Sequence, residues 1–168
     1  FGKAETMLKE IIEVDGAPKD RFVSQRNYSR LALVRVYLEQ GRLGDAEAEL
    51  GVIGKIIDGV QPDEVAISRP AAADLARLRG TLAMKRGDAA AAEAQFRTAI
   101  DILTARSDAN SPLLATARAE LGLALLARGQ RTEARQRADE VRRAFASHAA
   151  LAPHFTRVLA ELERKLGR

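Results

Sequence analysis

The chain has 168 residues, a formal net charge of +4, 46% hydrophobic and 30% charged residues, and no cysteine. That length supports a core of its own, the balance excludes a disordered chain, and the missing thiols exclude disulfides and thiolate metal sites. No apolar run approaches the ~20 residues of a membrane span, and so small a charge excess is not the signature of a nucleic-acid binder.

Alanine, leucine, arginine and glutamate dominate, aromatics are 4%, and β-branched runs are few. All four favour helix, so an all-α protein is expected. In chain order, the first predicted element is a helix over "KAETMLKEIIEV" (3–14), within a segment spanning 1–15. Met7, Leu8, Ile11 and Ile12 give it an apolar face. "GAPKD" (16–20) reads as a connector. A helical hairpin is then predicted over 20–58, with Ser24 near its start and Gly41 as its break. An interior glycine costs about 1 kcal/mol in a helix relative to alanine, so Gly41 is better read as a turn.

"DGVQPDEVAISRP" (58–70) is the longest predicted connector, and Pro70 marks the start of the next hairpin, over 70–104, broken at Gly87. "NSPLL" (110–114) offers Ser111 as N-cap and Pro112 in the first turn. The third hairpin covers 112–148 and breaks at Gly129. The last helix, over 153–167, begins at Pro153. It carries Phe155, Leu159, Leu162 and Leu166 on one stripe with charges elsewhere, the pattern of a capping helix.

The breaks recur. "VYLEQGRLGDAEAEL" (36–50), "LAMKRGDAAAAEAQF" (82–96) and "ALLARGQRTEARQRA" (124–138) align on Gly41, Gly87 and Gly129. An alanine follows each glycine by five residues: Ala46, Ala92 and Ala134. Another glycine precedes the second and third by seven: Gly80 and Gly122. Pro70, Pro112 and Pro153 keep the same rhythm. The chain is therefore an internal repeat of helix A, turn and helix B. Each turn glycine supplies a left-handed cap, and the small residues let the paired helices approach closely. Leu33, Tyr37, Leu50, Phe96, Ala99, Leu121 and Leu125 are the expected filling.

The sequence offers little chemistry. His148 and His154 stand six apart and share no helix face, so no metal and no catalytic residue is predicted, nor any cofactor. No serine has a G-x-S-x-G context. "GVIGK" (51–55) is too short for a phosphate loop and falls inside a predicted helix. The basic run "RGQRTEARQRADEVRR" (128–143) contains offsetting pairs, Glu133 with Arg137 and Arg135 with Asp139, and no interleaved aromatics.

With these features in place, the chain resembles the tetratricopeptide-repeat (TPR) family. Gly80, Gly87, Ala92 and Phe96 match that family's pattern of small, glycine, alanine and bulky residues in full. Gly122, Gly129 and Ala134 match with Ala138 small at the bulky position, and Tyr37, Gly41, Ala46 and Leu50 match with Val34 at the small one. The ~42-residue period is more similar to the long-repeat kinesin light-chain-like subgroup found in bacterial proteins than to the ordinary repeat of about 34 residues. The resemblance covers essentially the whole chain. It implies an α-α superhelix, with residues 1–15 as helix B of a truncated repeat and further repeats upstream in a larger bacterial signalling or regulatory protein.

The resemblance also implies a non-catalytic protein-binding module whose A helices line a concave groove. The groove positions are Arg35, Leu38 and Glu39, then Arg77, Thr81, Met84 and Lys85, then Leu123 and Leu126, with Tyr28, Leu31, Asp74, Thr116 and Ala119 beside them. A basic band of Arg35, Arg77 and Lys85 adjoins an apolar band of Leu38, Met84, Leu123 and Leu126. A protein or peptide partner that is acidic with apolar anchors would suit both. Leu31, Thr116 and Glu120 stand where the family's carboxylate-binding members need basic or polar groups, so that specialised function is not expected. The alternative is a homodimer or larger assembly through the exposed first helix. Nucleic-acid binding is the weaker reading, membrane binding is not expected, and the expected compartment is the cytoplasm.

Overall fold

The computed structural model describes residues 2–13, 22–59, 65–105 and 107–167. Among them the chain is all-α, with eight helices and no strand. The helices are α1 (Gly2–Glu13), α2 (Phe22–Glu39), α3 (Leu43–Asp58), α4 (Val65–Lys85), α5 (Ala89–Thr104), α6 (Pro112–Ala127), α7 (Arg131–Ala146) and α8 (Pro153–Leu166). The chain divides into two compact units, Phe1–Leu82 and Ala83–Arg168, with the division inside α4.

The three turns at the recurring glycines are built alike. Gly41, Gly87 and Gly129 have φ of 73°, 80° and 79°. The following amide reaches back five residues to a carbonyl each time: Arg42 to Tyr37, Asp88 to Ala83, Gln130 to Leu125, all at 2.9 Å. The glycine amide itself donates to Leu38, Met84 or Leu126. This pair of bonds is the Schellman motif, which satisfies carbonyls at a helix end and needs a residue at positive φ. A fourth glycine, Gly167, ends α8 at φ 78°.

Unit 1 holds α1, α2, α3 and α4 as far as Leu82. Its core is Leu31, Leu33, Val34, Tyr37 and Leu38 of α2, Ala46, Leu50 and Ile53 of α3, and Ala71, Leu75, Leu78 and Leu82 of α4. These side chains are drawn from water at roughly 25 cal/mol per Å² of apolar surface. Leu8 and Ile12 of α1 lean on that core from outside. Glu5 ties α1 down further: it accepts two hydrogen bonds from Arg42 at 2.9 Å, and Arg42 stands 4.3 Å from the Tyr37 ring centroid.

Unit 2 runs from the end of α4 through α8. Helix α6 is its centre and packs against α5, α7 and α8. The core joins Ala92 and Phe96 of α5, Ala115, Ala119, Leu121, Ala124 and Leu125 of α6, Ala134, Ala138, Val141 and Ala144 of α7, and Leu159, Leu162 and Leu166 of α8. Ala46, Ala92 and Ala134 are wholly buried, as expected of small residues where helices approach. Gly122 does more than admit the partner helix. A Cβ there would sit 2.5 Å from Leu162 Cδ2 of α8 and 3.4 Å from Arg137 Cβ of α7. The missing side chain makes room for the capping helix.

Three boundary expectations change. Helix α4 starts at Val65, five residues before Pro70. Pro70 is the sixth residue of α4, beyond the first turn, and its missing amide removes the bond to the carbonyl four residues back. The connector after α3 is shorter to match. Helix α2 starts at Phe22, ahead of Ser24. Ser111 occupies the N-cap of α6, but its side chain makes no capping bond. Asp88 is a true side-chain cap, accepting from the Ala91 amide at 2.9 Å. The "GAPKD" connector lies outside the described residues.

Candidate functional site

Unit 1 brings two polar stripes together, one on α2 and a half-buried one on α4. Tyr28, Ala32, Arg35 and Glu39 follow one another by four, three and four residues, so they share a face of α2. Asp74, Arg77 and Thr81 do the same on α4. Arg35 Nη2 donates to Asp74 Oδ2 at 2.8 Å, and Arg77 Nη1 donates to Asp74 Oδ1 at 3.3 Å. One carboxylate therefore bridges α2 to α4 and holds two guanidiniums. Arg35 remains 47% exposed and Arg77 15%. Thr81 Oγ1 donates to the Arg77 carbonyl at 3.1 Å. Tyr28, 47% exposed, offers the aromatic surface of this face.

The expected apolar band is different. Leu38 is 2% exposed and belongs to the core of unit 1, as does Leu31. Helix α2 has neighbours on more than one side, so its apolar arc is wider than a single seam and takes Leu38 inside. Thr116 and Ala119 are likewise closed off in unit 2. Met84, Leu123 and Leu126 are half-buried and lean on the unit 2 core. Lys85 is exposed. The predicted positions thus divide: Arg35, Leu38, Glu39, Arg77 and Thr81 stand in unit 1, while Met84, Lys85, Leu123 and Leu126 stand in unit 2. Asp74 offsets part of the charge of Arg35 and Arg77, so the basic band is weaker than the sequence implied.

Unit 2 has a second charged cluster. Glu93 of α5 is 9% exposed and accepts from Arg97 Nε at 2.9 Å and from Arg128 Nη1, which stands at the end of α6. Arg128 first, and Arg97 with it, hold its carboxyl below the ordinary value of 4.5 against the opposing effect of burial. No spacing in the sequence marks this contact, because its partners are 35 residues apart.

The remaining residues singled out from sequence have ordinary structural places. His148 Nε2 lies 2.9 Å from the Asn110 carbonyl oxygen, and the His154 ring stands tilted at 42° beside Phe155 with centroids 4.0 Å apart. "GVIGK" is helical throughout, inside α3. In the basic run, Arg131 caps the Leu166 carbonyl at 2.6 Å, Arg137 pairs with Glu140, and Arg142 pairs with Asp139 and Glu163. Glu133, which the spacing pairs with Arg137, stands 3.9 Å from Arg97. Among the described residues no group of three potential ligands stands together for a metal ion, and no helix is long and apolar enough to cross a membrane.

No protein-family model matches the chain, and no curated protein sequence is similar to it.

Proposed function

We propose that this chain is a TPR-like helical-repeat module that binds a protein segment without catalysing a reaction. The seat of binding is the α2–α4 face of unit 1. The observation that carries the reading is the Arg35–Asp74–Arg77 cluster beside exposed Tyr28. Two guanidiniums share a single carboxylate on a surface whose underlying core is already filled. A carboxylate from a ligand can accept charge-assisted bonds from the exposed edge of Arg35, while Arg77 holds Asp74 in place beside it. An aliphatic residue beside it can lie on Tyr28, replacing the anchor that buried Leu38 no longer offers. The partner class is therefore an acidic protein segment with one apolar contact. The three matching glycine turns support the repeat reading. The alanine- and arginine-rich composition supports a bacterial source, and a signalling or regulatory parent rests on the family resemblance alone.

The test is a peptide-array screen on the 168-residue chain, repeated with Arg35 and Arg77 both changed to glutamate. Acidic peptides that bind the parent and are lost in the variant would support this face as the seat. Retention of the same peptides by the variant would overturn it.

A further inference from the structure

Helix α1 has no buried residue at all. Leu8 and Ile12 touch the core of unit 1, but Met7 is 62% exposed and Ile11 45%. Ala4, Met7 and Ile11 are spaced by three and four, which aligns them as one seam along the helix. That seam is adjacent to the edge seated on α2 and distinct from it. It is presented on a seated element, because Arg42 holds Glu5 at 2.9 Å and Leu8 and Ile12 pack on the core.

The charges beside the seam choose its occupant. Lys3 and Glu10 are both exposed and stand seven residues apart, so they flank the seam on the same side with opposite signs. Two helices paired antiparallel bring this same flank of each together. Lys3 of one copy then faces Glu10 of the other, and the pair occurs twice about a two-fold axis. Parallel pairing would set this flank against the opposite one, where Leu8 is already engaged by the core. Helix α8 offers no comparable surface: Thr156, Arg157, Glu161, Arg164 and Lys165 are exposed on it.

We infer that α1 pairs antiparallel with α1 of a second copy of this chain, with Ala4, Met7 and Ile11 interleaved and Lys3–Glu10 pairs closing each end. The contact is isologous, so it makes dimers and not open chains. It spans twelve residues, about 18 Å of helix. It is therefore small beside a standard protein interface, and the association is weak and concentration-dependent. This inference is independent of the peptide-binding reading.

The experiment is sedimentation equilibrium of the 168-residue chain from micromolar to millimolar concentration. The expected result is a mass rising from one copy toward two. Met7→Glu should hold it at one copy, and circular dichroism should show its helix content unchanged, since Met7 makes no core contact. Lys3→Glu and Glu10→Lys should each weaken the dimer, while the double reversal, or an equimolar mixture of the two single variants, should restore it. A monomer mass at every concentration would overturn the inference. So would a dimer indifferent to Met7→Glu, or a double reversal no better than its parents.

Discussion

Arg35 and Asp74 stand 39 residues apart in the chain and 2.8 Å apart in the fold. The pair fixes α4 beside α2 at the surface, and the same carboxylate holds Arg77. Asp74 thus competes with a ligand carboxylate for the charge of Arg35. Asp74→Asn removes the negative charge shared by both arginines and is expected to tighten binding of a poly-glutamate peptide several-fold, with a steeper salt dependence. Fluorescence anisotropy titration at two ionic strengths checks it. The unfolding free energy should fall by about 1–3 kcal/mol, because Asp74 is 18% exposed and its partner Arg77 15%, so a part-buried charged hydrogen bond is weakened along with the half-exposed one to Arg35.

Gly129 stands at φ 79° in open space, with nothing within 4 Å of a Cβ built there. Its requirement is therefore conformational and not steric. Gly129→Ala is expected to cost about 1–2 kcal/mol in urea unfolding. Gly129→Asn should cost less, since asparagine tolerates the left-handed region. Equal losses in the two variants would contradict this account of the turn.

Gly122 is the opposite case. Here the conformation is helical and the space is taken by Leu162. Gly122→Ala is expected to destabilise by about 1–3 kcal/mol through overpacking. Placed in a Leu162→Ala background, the same change should cost far less, because the obstructing methyl is gone and alanine favours helix over glycine by about 1 kcal/mol. A double-mutant cycle measured by chemical unfolding gives the coupling directly.

Glu93 sets a pH window. Its carboxyl titrates below 4.5 when folded, chiefly because of Arg128, and near the ordinary value when unfolded. The unfolded chain therefore binds the proton first as pH falls. The stabilisation from Glu93 is complete above the ordinary value and is lost as pH falls through the folded one. Glu93→Gln should cost about 2 kcal/mol at neutral pH, the scale for a buried group losing a charged partner. The gap between parent and variant should close in acid. Unfolding curves between neutral pH and strong acid measure it, and a gap that stays constant would remove Glu93 as the cause.

The local rules were legible in the sequence. Gly41, Gly87 and Gly129 declared the turns, and Ala46, Ala92 and Ala134 declared the close approaches, because each role admits few residue types. Leu159, Leu162 and Leu166 declared the seated face of α8 by spacing alone. What escaped was set by neighbours far along the chain. Leu38 reads as a groove residue from its position on the helix, yet a second neighbour encloses it. Glu93 reads as one more surface acid, yet it meets Arg128. Asp74 shares a helix face with Arg77 by spacing, but its hold on two arginines depends on the register of α2 against α4, which no local pattern encodes. Pro70 misled for a different reason: a proline permits a helix start without requiring one.

Arg42, Asp88 and Gln130 make the same backbone bond in the three turns, although one is basic, one acidic and one neutral. The turn is written in main-chain atoms and one glycine, so the side chain at this position is free to take a different task in each copy: Arg42 holds Glu5 and Asp88 caps α5. A chain built this way can duplicate a unit and then let the copy diverge at every outward position without losing its shape. The three hairpins can consequently carry three unrelated surfaces on one inherited frame.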